Sequence, residues 1–243
     1  MARIVLVHGA FHNKHCWDAA KAGLEKLGHR VEGIDLPGHG DDKTPQNQVT
    51  VPLYAAKVVE QLRSDPEPAV LVGHSMSGIV VTQAADDFLA SGGELKQVIY
   101  VAAFLPDDGQ SLVDLAGQPE GEGDMVQANV VVEGDPPIGT LSVENAIKAF
   151  YGECDPAVAR AAAEDLCPQP ILGFVMPVSI DNNRKVTRRY LITTNDMACR
   201  TPLQRKMSKH PSVVEVAEIS SDHSPFLSHT DEFVGIIDKW ARA

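Results

Sequence analysis

Short apolar runs without polar alternation recur along this chain, and nothing else in it constrains the fold as strongly. The first, Arg3-Ile-Val-Leu-Val7, is rich in β-branched residues and is stopped by Gly9. Such a run suits a strand buried on both faces, the usual condition of a parallel strand. Similar runs occupy residues 30–36, 69–72, 98–104 and 189–194, and residues 213–219 form a sixth with partial alternation. Segments with helical spacing lie between them. Residues 17–27 are rich in Ala, Leu, Lys and Glu and close on Gly28, a helix stop signal. Residues 54–63 repeat apolar positions at helical spacing, and residues 78–89 run into the breaker Ser91-Gly92-Gly93. Residues 232–242 carry Phe233, Ile236, Ile237 and Trp240 on one stripe. Regular alternation of strand and helix predicts an α/β fold, a mainly parallel sheet flanked by helices.

The alternation breaks between about residues 106 and 188. Gly, Pro and acidic residues crowd positions 118–139, helical segments follow at 143–151 and 156–166, and Pro168 and Pro170 lead into an apolar stretch at 171–178. This reads as a mostly helical cap inserted over an active site. The expected division is a core of residues 1–106 and 189–243 with a cap of residues 107–188.

Composition excludes several function classes. Of 243 residues, 21 are Lys or Arg and 33 are Asp or Glu, a net charge of −12. That balance argues against nucleic-acid binding, which needs a basic surface. No apolar run approaches the roughly 18–20 residues of a membrane span, and Met1-Ala2-Arg3 leads into too short an apolar run for a secretory leader. The four cysteines, Cys16, Cys154, Cys167 and Cys199, have no CxxC spacing and read as reduced thiols. The expectation is a cytoplasmic globular protein with no nucleic-acid or membrane partner.

The strongest chemical signal is Ala69-Val-Leu-Val-Gly-His-Ser-Met-Ser-Gly-Ile-Val-Val-Thr82. A buried strand reaches Gly73, Ser75 takes the turn, and a helix starts at once, the context of a nucleophile elbow. A serine hydroxyl needs a base from elsewhere in the chain. His223, in Ser220-Ser-Asp-His-Ser-Pro-Phe226, follows the last strand and falls at the sheet edge that carries Ser75. His8, His29, His74, His210 and His229 fit that position less well. Asp196 follows the strand at 189–194 and supplies an orienting carboxylate, with Asp107 and Asp108 as the alternative acid positions. The order Ser, Asp, His is the one expected for this elbow. Asp222 cannot easily reach its own neighbour's ring. The loop Val7-His-Gly-Ala-Phe11 can aim backbone N–H groups at a developing oxyanion, with the N–H of Met76 as a second donor. His8, His12 and His15 lack metal-ligand spacing, and no cofactor or metal is expected.

The segments VLVHGAFH, GHRVEGIDLPGHG, VGHSMSG, VIYVAAFLPDDGQS, ITTND and SSDHSPFLS resemble the α/β-hydrolase superfamily. More closely they resemble the branch of plant methyl-salicylate esterases, hydroxynitrile lyases and bacterial carboxylesterases. The likeness spans nearly the whole chain and is weakest over residues 117–186. It implies Ser75 as nucleophile, Asp196 as acid, His223 as base, and backbone donors at Ala10 and Met76. The chain departs from the family at Ser77, where glycine is usual, and at Asn13-Lys14-His15-Cys16, where glycine or alanine commonly precedes the tryptophan.

The reading is a cofactor-independent serine carboxylesterase acting on a small, largely apolar ester, aryl and methyl esters included. Phe11, Phe150, Leu172, Phe174, Val175 and Met176 are the candidate pocket walls, and each also suits plain packing of the cap. A small-molecule ester is the expected partner, and a homodimer is compatible with the sequence. Two other readings stand beside this one. The first is a ligand-binding protein on the same fold. The second is a lyase using the same serine and histidine. The hydroxynitrile lyases of the resemblance carry a lysine after the catalytic histidine and a threonine in the first loop, where this chain has Ser224 and Gly9.

Overall fold

The apolar runs lie side by side. The computed structural model describes residues 1–181 and 185–243, so residues 182–184 of the expected cap lie outside the described residues. Its strands are β1 (Arg3–Val7), β2 (Arg30–Ile34), β3 (Ala69–His74), β4 (Leu95–Val101), β5 (Val131–Glu133), β6 (Ile138–Thr140), β7 (Gln169–Pro170), β8 (Arg188–Thr193) and β9 (Val213–Ile219). Six of them form one sheet in the order β2-β1-β3-β4-β8-β9, with every pairing parallel. The edge strand β9 alternates between half-buried and exposed residues, which accounts for its mixed sequence pattern.

The helices are α1 (Asp18–Lys26), α2 (Val51–Arg63), α3 (Ser77–Ala90), α4 (Leu112–Ala116), α5 (Met125–Asn129), α6 (Val143–Phe150), α7 (Pro156–Glu164), α8 (Leu172–Val175), α9 (Thr201–Met207), α10 (Pro225–Ser228) and α11 (Thr230–Ala241). Successive strand residues point to opposite faces, so each central strand feeds two cores. Val5, Val7, Leu71, Val98 and Tyr100 pack with Val58 and Leu62 of α2 and Ile79 of α3. Ile4, Leu6, Val70, Val72, Ile99 and Val101 pack with Trp17, Leu24 of α1, and Phe233 and Trp240 of α11. Gly28 ends α1 with φ 90, the left-handed conformation its position requires.

Two features depart from the sequence reading. The apolar run at 98–104 outlasts its strand. At Ala102 the backbone turns to φ 45, and the amide of Phe104 bonds to the carbonyl of Ser75 at 3.1 Å. The end of the run is therefore buried packing beneath the elbow. The segment between β4 and β8 holds α4 to α8 and also an antiparallel sheet in the order β5-β6-β7. Strands of two and three residues are too short to show a period of two, and β5 has no buried residue, so hydrophobicity does not mark them. The helical part of this segment meets the loop after β1, where Phe11 packs with Ala146, Ala149 and Phe150.

Candidate active site

β3 enters its turn through Gly73, where a Cβ would lie 2.7 Å from Cγ2 of Val81 in the following helix. The helix leaves through Gly78, where a Cβ would lie 2.1 Å from the carbonyl oxygen of Phe104. Only glycine permits this double approach. Between them Ser75 adopts φ 55, a left-handed conformation that is strained for a residue with a side chain. Backbone contacts hold it there. The Ser75 amide donates to Val101 at 3.2 Å, and its carbonyl accepts from Gly78 at 3.0 Å and Phe104 at 3.1 Å.

His223 lies in the loop after β9, and Asp196 in the loop after β8. Nδ1 of His223 and Oδ2 of Asp196 are 2.7 Å apart, with both side chains fully buried. The same carboxylate oxygen accepts from Thr193 Oγ1 and Gln204 Nε2, each at 2.8 Å. Oδ1 accepts from the Ala198 amide at 2.8 Å. An acceptor with these partners assigns the Nδ1–H tautomer to a neutral His223 and leaves a lone pair on Nε2. Among the described residues Nε2 is buried with no hydrogen-bond partner, Ser75 included. Thr193 and Gln204 carry no mark in the sequence, because a threonine at a strand end or an amide on a seven-residue helix looks like any solvent-facing polar residue.

The other carboxylates are engaged elsewhere. Asp107 pairs with His210 at 3.1 Å near the surface, and Asp108 accepts from the Ile180 amide. Asp222 turns away from its neighbour's ring and accepts from Ser228 Oγ and the amides of Glu153 and Ser224.

In the loop after β1, His8 bridges Gly9 O at 2.9 Å and the Leu36 amide at 3.1 Å. His12 Nδ1 lies 2.6 Å from Ala10 O, and its Nε2 lies 2.8 Å from the Tyr151 hydroxyl. Among the described residues the amides of Ala10 and Met76 donate to no other group. Met76 opens α3, so its N–H belongs to the unpaired set at a helix start. Burial is the main cause that holds His8, His39 and His74 below the ordinary imidazole range, and it brings His12 down to about 4. All four are neutral at pH 7. His15 is exposed and pairs with Asp18, apart from His8 and His12.

Ser75 and Met76 line a cavity of about 260 Å³. Phe11, Phe150 and Phe174 contribute walls to it, as do Leu112, Val126 and Ile171. Leu172, Val175 and Met176 do not line it. The four-residue helix α8 presents one face inward, so Ile171 and Phe174, three positions apart, face the cavity. Val175 is 47% exposed and Met176 packs against the main core. Besides Ser75, the polar side chains in the wall are Asp124 and Gln127, bonded to each other at 3.0 Å. Burial lifts the Asp124 carboxyl above its usual range. A second cavity of about 340 Å³, lined by His12, Asn13, Tyr151 and Asp165, does not include Ser75.

A model of the alpha/beta hydrolase family matches residues 4–236. Methylesterase 7 of Arabidopsis thaliana is 30% identical over 261 residues, covering 98% of this chain and 97% of its own. An alpha-hydroxynitrile lyase of the same plant is 42% identical over 106 residues, covering 42% of this chain and 40% of its own. A pyrethroid hydrolase from Sphingobium faniae JZ-2 superposes with a TM-score of 0.87 at 23% identity, covering 100% of this chain and 98% of that one. With this match over nearly its whole length, the chain belongs to the alpha/beta hydrolase family, and its similarity to a plant methylesterase runs over almost all of both chains.

Proposed function

We propose that the protein is a serine carboxylesterase for small, largely apolar esters. One observation carries this reading: a strained serine in the wall of an apolar cavity, in a fold that also buries an Asp–His pair with a free imidazole lone pair. Ser75 Oγ attacks the ester carbonyl and passes its proton to Nε2 of His223. Asp196 holds the ring and stabilises the imidazolium that forms. The N–H groups of Ala10 and Met76 receive the oxyanion. His223 then protonates the departing alcohol, and water activated by the same ring releases the acid from Ser75. The methylesterase relatives support an ester substrate, and the apolar walls support an apolar acyl or alcohol part.

A lyase reading calls for a cation beside the base, and here Ser224 follows His223. Lys14, the unusual cation of the first loop, pairs with Asp41 at 2.6 Å and Asp35 at 3.1 Å and does not line the Ser75 cavity. Mandelonitrile assayed beside methyl and p-nitrophenyl aryl esters separates the two chemistries. Ester hydrolysis should dominate, and cyanide release outpacing it would overturn the esterase reading. A fluorophosphonate probe should label Ser75, and Ser75→Ala should lose both labelling and turnover.

A further inference from the structure

Gln169 is fully buried at β7, in the insertion, yet its side chain reaches the loop after β1. Its Oε1 accepts from the Phe11 amide at 3.0 Å and lies 3.0 Å from Nε2 of His39. Its Nε2 donates to Pro170 O at 3.0 Å and to the Tyr54 hydroxyl at 3.2 Å. A primary amide has two acceptor sites and two donors, and all four are used. The partners fix which way the amide faces, because the Phe11 N–H needs an oxygen. His39 faces an acceptor at each ring nitrogen, Gln169 Oε1 at 3.0 Å and Pro37 O at 3.2 Å, and a neutral ring can donate to one of them.

What Gln169 holds is a strained residue. Phe11 has φ 65, a strained conformation for a side-chain-bearing residue that persists only where its surroundings enforce it. The insertion grips it twice. Beside the bond from Phe11 N to Gln169, the carbonyl of Phe11 accepts from the Cys167 amide at 2.6 Å. The peptide between Ala10 and Phe11 is also fixed at both ends, its oxygen by His12 and its N–H by Gln169. With the Phe11 N–H committed to Gln169, the Ala10 N–H is the loop amide left to serve the cavity.

We propose that Gln169 is a positioning residue for catalysis: it anchors the Phe11 peptide so that the Ala10 N–H is presented to the developing oxyanion. This rests on the esterase reading and deepens it. Gln169 touches no reacting atom. It acts through the loop, and the loop matters most when negative charge appears on the carbonyl oxygen. Loss of the clamp should therefore lower kcat and leave KM almost unchanged. Removal of one oxyanion donor typically costs 10²–10³-fold in rate, and a loosened donor should cost about 10–100-fold.

The test is steady-state hydrolysis of p-nitrophenyl butyrate by wild type, Ser75→Ala, Gln169→Met and Tyr54→Phe, with thermal melts of each. A trifluoromethyl ketone serves as a tetrahedral analogue, and butyrate serves as a ground-state ligand. Gln169→Met should lose about 10–100-fold in kcat, with KM within about twofold and affinity for the ketone falling in parallel. Butyrate affinity should hold. An unchanged kcat, a loss confined to KM, or ketone affinity equal to wild type would overturn the proposal. If Gln169→Met does not fold, Tyr54→Phe decides, because it removes only the outer partner of the amide. A kcat loss of a few fold at constant KM supports the clamp, and wild-type kcat overturns it. Turnover retained in Ser75→Ala would sink the esterase reading itself, an outcome distinct from any of these.

Discussion

The Ser77 hydroxyl lies 2.8 Å from the carbonyl oxygen of Val7 and 2.8 Å from that of His74, sharing its one proton between the end of β1 and the elbow. This explains how the chain accommodates serine where its family usually has glycine. The hydroxyl satisfies two carbonyls buried at the strand ends. Ser77→Ala should cost about 1–3 kcal/mol by removing the one hydroxyl donor that the two carbonyls share. The melting midpoint should fall by about 2–4 °C for each kcal/mol in a chain of this size. A midpoint equal to wild type would show that the contact contributes nothing net.

Asp196 should be the acid on which turnover depends. Asp196→Asn is expected to lower kcat by about 10⁴-fold, since an amide cannot hold the required imidazole tautomer. Asp107→Asn, whose carboxylate pairs with His210 near the surface, should stay close to wild type. Crippled turnover in Asp107→Asn with activity retained in Asp196→Asn would move the acid one strand earlier.

Acid should destabilise the fold through its buried histidines. His8, His12, His39 and His74 are held neutral, with folded values below the ordinary one of about 6.5. Between about pH 6.5 and 4, the value His12 reaches, the unfolded chain binds protons that the folded chain refuses. Stability is thus fully present above about pH 6.5 and is lost as pH falls, by up to about 1.4 kcal/mol per pH unit for each histidine. Unfolding at pH 5.5 should take up protons, at least the one that His12 refuses, measurable in buffers of different ionisation enthalpy. Uptake near zero would mean that these rings are already charged in the folded state.

Phe174 should limit the size of the substrate. It is half-buried in the cavity wall, and its ring sits 6.5 Å from that of Phe11. Phe174→Ala should raise the ratio of kcat/KM for p-nitrophenyl octanoate over butyrate by about tenfold, the scale of a methylene or two in an apolar pocket. Val175→Ala, altering an exposed neighbour, should leave the ratio unchanged. A shift of equal size in both variants would mean that the cavity is not where the acyl chain sits.

What could be read from the sequence followed the strands. Ser75, Asp196 and His223 each stand just past a recognisable apolar run, so a parallel sheet brings all three to one edge; chain order alone left Asp107 as an alternative acid, and the structure sets Asp196 against His223 and Asp107 against His210. Gln204 and Gln169 carried no such mark. Each makes its contacts through a buried amide that looks in sequence like any polar residue, and the Gln169–Phe11 bond spans 158 positions. The cavity walls were half legible for a related reason. Apolar composition at 171–178 pointed to the right segment, but the rotation of a one-turn helix, which turns Phe174 inward and Val175 outward, is set by neighbours that local sequence does not name.

The strand order also bears on how the chain is made. β1 to β4 are complete by Val101, but β8, the partner of β4, begins only at Arg188. At about 5–20 residues per second of synthesis, the nascent half-sheet waits roughly 4–17 s with β4 as an open, apolar edge. Val98 to Val101, fully buried in the finished sheet, are bare for that interval. A chain ending before β8 therefore presents to solvent a strand edge that the finished sheet pairs.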